Sequence, residues 1–178
     1  MKIDILLSGF GGQGLISLGK ILANTALREN KHTTYIPSYG PEVRGGTAYC
    51  FVKISDTPIT SPLVGKSDIA IILNQLSLDR FEKVFKKGSV LILNSDLSSR
   101  KPLRKDTQLV YLPLNKMALE CGNAKVIGVL ALGVLIRLKP KLLKKETIEQ
   151  ILKETFSDKV ILEQNIKALH KGEEIGKS

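Results

Sequence analysis

The chain has 178 residues, 43% of them hydrophobic and 25% charged, which is enough to bury one substantial core and sets a single domain, residues 1–178, as the expectation. Its net charge of +10 is spread over both halves. With 5% aromatics and no Trp there is little to stack on bases, so nucleic acid is excluded in favour of an acidic protein partner or a polyanionic small ligand. Cys50 and Cys121 lie far apart with no C-x-x-C pair, so no disulfide framework, zinc site or iron–sulfur site is written here.

The apolar run ahead of the first glycines is too short for a signal-peptide core. The longest apolar stretch, Val126 to Ile136, falls short of the roughly 20 residues that span a bilayer. The expectation is a cytoplasmic protein with no membrane partner.

Lys2 to Leu7 is a β-leaning run ending in Ser8-Gly9, and from Leu15 to about Arg28 the apolar positions Leu15, Leu18, Leu22 and Ala26 recur at helical spacing. His32 to Ile36 reads as a strand stopped by Pro37, and Thr47 to Ile54 as a third strand rich in β-branched and aromatic residues. Ser67 to Leu73 and Ser89 to Leu93 are continuous apolar runs, the pattern of strands covered on both faces, with helical spacing between them over Leu78 to Lys86. Gln108 to Leu112 is a further strand. Helices follow over Lys116 to Cys121, Val126 to Leu138 before Pro140, and Lys145 to Phe156, with a last one after Ser157-Asp158 whose charged end suggests a peripheral position. This alternation predicts a three-layer α/β/α fold with a largely parallel, or mixed, sheet and a helical C-terminal part.

Gly9-Phe10-Gly11-Gly12-Gln13-Gly14 satisfies G-x-G-x-x-G between a strand and a helix, where backbone N–H groups and the helix dipole can hold a phosphate. A dinucleotide site also wants an acid near the end of the second strand, where this chain has Ile36-Pro37-Ser38. The stretch from Gly14 to Gly19-Lys20 has P-loop spacing, but Ile21 stands where magnesium needs Ser or Thr. Two readings of the loop stay open: a tight turn packed against its neighbours, or a cofactor-facing loop made of Gly9, Gly11, Gly12, Gln13 and Gly14 with Lys20 as a nearby cation.

Pro37-Ser38-Tyr39-Gly40-Pro41-Glu42-Val43-Arg44-Gly45-Gly46 packs two prolines, three glycines and a Glu42/Arg44 charge pair between two strands. Such a loop either braces itself internally or faces a partner, and the partner-facing candidates are Ser38, Tyr39, Gly40, Pro41, Glu42, Arg44, Gly45 and Gly46. His32 and His170 have no triad or metal spacing. The stripe Ile127, Leu130, Val134 and Leu138 suits a core or a subunit interface.

Together, the Gly9 to Gly14 loop, the Pro37 to Gly46 loop, Ser61-Pro62 and Asn74-Gln75 resemble the signature series of the gamma subunit of 2-oxoacid:ferredoxin oxidoreductases, over at least residues 3 to 136. The wording of Pro37 to Glu42 is closest to the 2-oxoglutarate branch. The resemblance implies a subunit with no activity alone, in an enzyme that decarboxylates 2-oxoglutarate or pyruvate and forms an acyl-CoA. It implies thiamine diphosphate, Mg and [4Fe-4S] clusters held mainly by alpha, beta and delta subunits, with ferredoxin accepting the electrons and no cofactor bound by this chain alone. The alternatives it leaves are the smaller subunit of an indolepyruvate oxidoreductase and a free-standing nucleotide-binding scaffold. It also leaves open whether the glycine loop meets CoA or only shapes the fold.

Overall fold

The computed structural model describes residues 1–39 and 47–176. β1 (Lys2–Phe10) runs through the middle of the molecule, α1 (Leu15–Arg28) follows it, and β2 (His32–Tyr39) and β3 (Thr47–Ser55) form an antiparallel pair. β4 (Ser67–Ile72), α2 (Gln75–Phe81), β5 (Phe85–Asn94) and β6 (Gln108–Leu112) come next. The chain ends in α3 (Leu114–Glu120), α4 (Ile127–Leu138), α5 (Lys145–Thr155) and α6 (Lys159–Ile175).

The described strands form one sheet in the order β2-β3-β1-β4-β5-β6. β1, β4, β5 and β6 are parallel, while β3 pairs antiparallel with β1 and with β2. The expected α/β architecture with a mixed sheet is therefore present. Of the connections between the parallel strands, β4 to β5 runs through α2, β1 to β4 carries α1 and the β2–β3 pair, and β5 to β6 carries no α-helix.

The two faces are covered unequally. On one face Ile5, Leu7, Ile69, Ile71, Val90 and Ile92 lie under α1 and α4, with α5 and α6 completing the same core. On the other, Leu6, Ala70, Ile72, Leu91 and Leu93 are covered by Leu78 and Phe81 of α2 and by Phe85. Every residue of α4 from Ile127 to Ile136 is buried, so the apolar stripe read from sequence is core. Among the described residues no helix is long and apolar enough to cross a membrane.

Three local readings are corrected. Pro37 does not stop β2, which continues to Tyr39; β2 is the edge of the sheet, where the missing proline N–H breaks no ladder bond. The helix placed over Leu78 to Lys86 is shifted toward the N-terminus, because Asn74 caps α2 by accepting from the Ser77 N–H at 2.8 Å and the strand has already begun at Phe85. The last helix is not peripheral: Ala168, Leu169 and Gly172 of α6 are buried against α4.

Candidate functional site: the glycine loop and its cleft

The parallel strands place their carboxyl ends on one edge, and the strand order reverses direction at β1. The chain leaves β1 toward β2 and β3 on one side, with β4, β5 and β6 on the other. In open α/β sheets the crevice outside such a switch point is where ligands bind. Here it is flanked by the glycine loop after β1 and by Asn74 after β4.

The loop is built to be tight on one side and open on the other. A Cβ on Gly9 would lie 2.4 Å from Gln13 Oε1 and 2.8 Å from Leu15 Cδ1, so Gly9 is required by packing. Gln13 is consumed within the turn: its N–H reaches Phe10 O at 3.3 Å, and its Oε1 accepts from the Phe10 N–H at 2.7 Å. Gly12 has φ +92 and Gly14 φ +75, the left-handed conformations that favour glycine. Nothing lies within 4 Å of the Cβ position of Gly11 or Gly12, so close packing does not explain these two, and their backbone is open to a ligand.

Gly14 begins α1 without a side-chain cap, and the first turn carries no acid. The N–H groups there are thus left for solvent or an anion, at the positive end of a fourteen-residue helix. The loop faces a cleft of about 580 Å³ closed by Ala48, Asn123, Lys125, Phe156 and Asn165. Asn123 Oδ1 accepts from the Lys125 N–H at 2.9 Å and its Nδ2 donates to Gln164 Oε1 at 3.0 Å, which fixes the turn that carries Lys125. The Lys125 side chain is exposed and has no ion pair among the described residues. Lys20 is exposed on α1 and is not part of the cleft lining; among the described residues Lys125, distant in sequence, is the cation that lines the cleft.

Of the second loop, Ser38 and Tyr39 close β2, opposite Tyr49 and Ala48 of β3. Because Phe10 pairs with Thr47, these strand ends stand beside the glycine loop. Gly40, Pro41, Glu42, Arg44, Gly45 and Gly46 lie outside the described residues.

The other flank is a set of amides. Asn94 Nδ2 donates to Leu73 O at 3.0 Å and to Asn115 Oδ1 at 2.8 Å, while its Oδ1 accepts from the Leu114 N–H at 3.0 Å. Asn74, 1% exposed, uses Oδ1 for its cap, and its Nδ2 has no hydrogen-bond partner among the described residues. The sequence reading singled out Asn74-Gln75 only as part of a resemblance; the signal it did not use is an Asn directly after an apolar parallel strand.

Burial pushes the Cys50 thiol up to about 12, and its Sγ lies 3.6 Å from Leu15 O, the geometry of an inert core thiol. His170 Nε2 sits 2.7 Å from Glu149 Oε1 on the far helices. Among the described residues no group of three or more His, Cys, Asp or Glu could hold a metal.

The class is thus an open α/β sheet with an anion-suited glycine loop at its switch point and, among the described residues, no nucleophile–base pair beside it. The chain belongs to the pyruvate ferredoxin/flavodoxin oxidoreductase family, whose model matches residues 4–175. It is 37% identical over 180 residues to the 2-oxoglutarate synthase subunit KorC of Methanocaldococcus jannaschii, covering 99% of this chain and 95% of that one. It is 35% identical over 175 residues to the ketoisovalerate oxidoreductase subunit VorA of Methanothermobacter marburgensis; that match covers 96% of this chain but only 36% of the longer relative. The gamma subunit of the keto/oxoacid ferredoxin oxidoreductase from Geobacter sulfurreducens superposes with a TM-score of 0.87 at 31% identity, over 99% of this chain and 97% of that one.

Proposed function

We propose that this chain is the gamma subunit of a cytoplasmic 2-oxoacid:ferredoxin oxidoreductase and is inactive alone. The complex would decarboxylate a 2-oxoacid on thiamine diphosphate, pass electrons through [4Fe-4S] clusters to ferredoxin, and deliver the acyl group to CoA. The observation that carries this reading is the open Gly11-Gly12 backbone at the uncapped start of α1, beside the unpaired Lys125, in a chain of this family. Thiamine diphosphate, Mg and the clusters would belong to alpha, beta and delta partners, as the family resemblance implies. 2-Oxoglutarate is the favoured substrate, on the wording of Pro37 to Glu42 and the likeness to a 2-oxoglutarate synthase subunit.

The part of this chain in that chemistry is to receive a phosphate-bearing ligand. The pyrophosphate of CoA suits the N–H groups at Gly11, Gly12 and the first turn of α1, with Lys125 balancing charge. The test is to purify the tagged chain from its native host, identify the subunits that accompany it, and assay 2-oxoacid-dependent viologen reduction with and without CoA. Thiamine-binding and cluster-bearing partners with CoA-dependent activity support the assignment, and comparing oxoacids names the substrate. A chain that emerges alone and binds an adenine or nicotinamide nucleotide tightly overturns it. Within an active complex, Gly12→Val should raise the KM for CoA; an unchanged KM removes the glycine loop from CoA binding.

A second reading, in which the loop from Ser38 to Gly46 orders neighbouring subunits, draws on Thr47 pairing with Phe10 and Tyr39 pairing with Ala48 one strand further out. Arg44→Ala would then disrupt assembly. A fully assembled complex with normal turnover would count against it.

A further inference from the structure

At the edge of the sheet opposite the glycine loop, where β1, β4 and β5 begin, lies a second cavity of about 490 Å³. Ile3, Ile69, Leu138, Pro140 and Leu142 give it apolar walls. Its volume falls in the range of roughly 300–1,000 Å³ typical of small-molecule sites.

Four lysines line it: Lys86, Lys87, Lys139 and Lys141. Asp68 is the carboxylate in the lining, and it is already balanced. Its Oδ2 lies 2.8 Å from Lys86 Nζ and also accepts from the Asp4 N–H at 2.8 Å. Lys139 and Lys141 are exposed and have no ion-pair partner among the described residues; Lys87, also exposed, makes no ion pair but acts at longer range on Asp106, which Arg104 already pairs. Ser89, also in the lining, is 3% exposed, and its hydroxyl has no hydrogen-bond partner among the described residues. The carboxyl end of α4 brings partial negative charge to this edge, so any attraction for an anion comes from the lysines and not from a helix terminus.

Apolar walls under unpaired cations fit one kind of ligand. We propose that this cavity binds a small amphipathic anion, a carboxylate or phosphate carried on an apolar body, at a site separate from the glycine-loop cleft. Burial of the body against Ile69 and Leu142 supplies affinity, and the lysines select the head group. The site does not depend on which complex the chain joins.

The test is a titration of the full chain with octanoate and with octyl phosphate, followed by amide NMR, with octanol and octylamine as probes of the same body. The expected result is a saturable shift at Gly88, Ser89 and Leu138 to Leu142 with at least one anion, the tighter one naming the head group. The double substitution Lys139→Glu, Lys141→Glu should weaken that binding at least about tenfold, the size expected for reversing two charges close to the ligand, while leaving the melting temperature unchanged. Octanol binding as tightly as the anions overturns the proposal. Shifts confined to Gly11 and Gly12, or affinity untouched by the charge reversal, overturn it equally. Should the double variant unfold, Ser89→Ala and Lys87→Glu read separately take its place, under the same criterion.

Discussion

Gly133 of α4 and Gly172 of α6 meet with no room for a methyl group on either. A Cβ on Gly133 would lie 2.1 Å from Leu169 O, and one on Gly172 would lie 2.1 Å from Leu130 O. Both clashes are with backbone, which cannot rotate away as a side-chain tip can. This crossing brings α6 onto the buried α4, which in turn carries the turn holding Lys125 at its N-terminal end.

In an exposed helix, replacing glycine by alanine gains about 0.5–1 kcal/mol. At this crossing the sign should reverse: Gly133→Ala and Gly172→Ala are each expected to cost at least ~2 kcal/mol, because the helices must separate to admit the methyl group. Urea unfolding measures this directly. A stabilised variant would show that the two helices do not pack this closely.

What was legible in the sequence, and what was not, follows from how local the signal is. The strand, glycine turn and helix from Lys2 to Arg28 were readable because period-two and period-3.6 patterns meet at a run of glycines. Pro37 was misread because the rule that proline ends a strand holds for interior strands, and edge position is a property of the whole sheet. α6 looked peripheral because its charges are plain in the sequence, while its role rests on Gly172 finding Gly133 in another helix. Lys125 was missed for the same reason: no spacing rule connects it to a loop at Gly11. A capping role for Asn74 could be inferred from one sequence, but not that its amide nitrogen is left over.

Asn74 separates two functions of one side chain. Asn74→Ala removes the acceptor of the Ser77 N–H and should cost about 1 kcal/mol. Asn74→Asp keeps that acceptor and should recover most of the loss in a denaturant titration. If the free Nδ2 also serves a ligand or partner, the aspartate variant will be stable yet impaired in the assembled enzyme. Equal activity of the wild type and the aspartate variant would leave the amide with no such role.

Cys50 is expected to resist alkylation in the folded protein. Its thiol is raised from an ordinary value of 9.0 to about 12 because burial disfavours the thiolate. A raised folded value means that the unfolded chain ionises first. The contribution of Cys50 is therefore fully present below pH 9 and is lost as pH rises from about 9 toward 12. Iodoacetamide at pH 8 followed by peptide mass spectrometry should find Cys50 unmodified until denaturant is added. The Cys50→Ala variant should lose less stability than the wild type between pH 9 and pH 11. Labelling of native Cys50 would show that the site is open.

Lys53 is buried at 4% exposure, pairs in register with Asp4, and donates from Nζ to Ser61 O and Leu63 O, both at 2.9 Å. It lies 3.6 Å from Asp4 Oδ1, so a single ammonium ties the loop around Ser61-Pro62 to the central strand. This gives a physical reason for the Ser61-Pro62 signature: the loop is held by its carbonyls, and Pro62 has no N–H to satisfy. Lys53→Met keeps the length of the side chain and removes the charge, leaving Asp4 more dependent on Lys86 at 3.5 Å. The expected cost is about 3 kcal/mol, the size seen when one member of a buried pair is deleted. Proteolysis within residues 57–66 should quicken along with it. Adding Asp4→Asn to Lys53→Met should recover part of the loss in stability, since the second change removes the stranded charge, but not the loop protection, which depends on the ammonium itself. If both recover together, the loop is held by something other than Lys53.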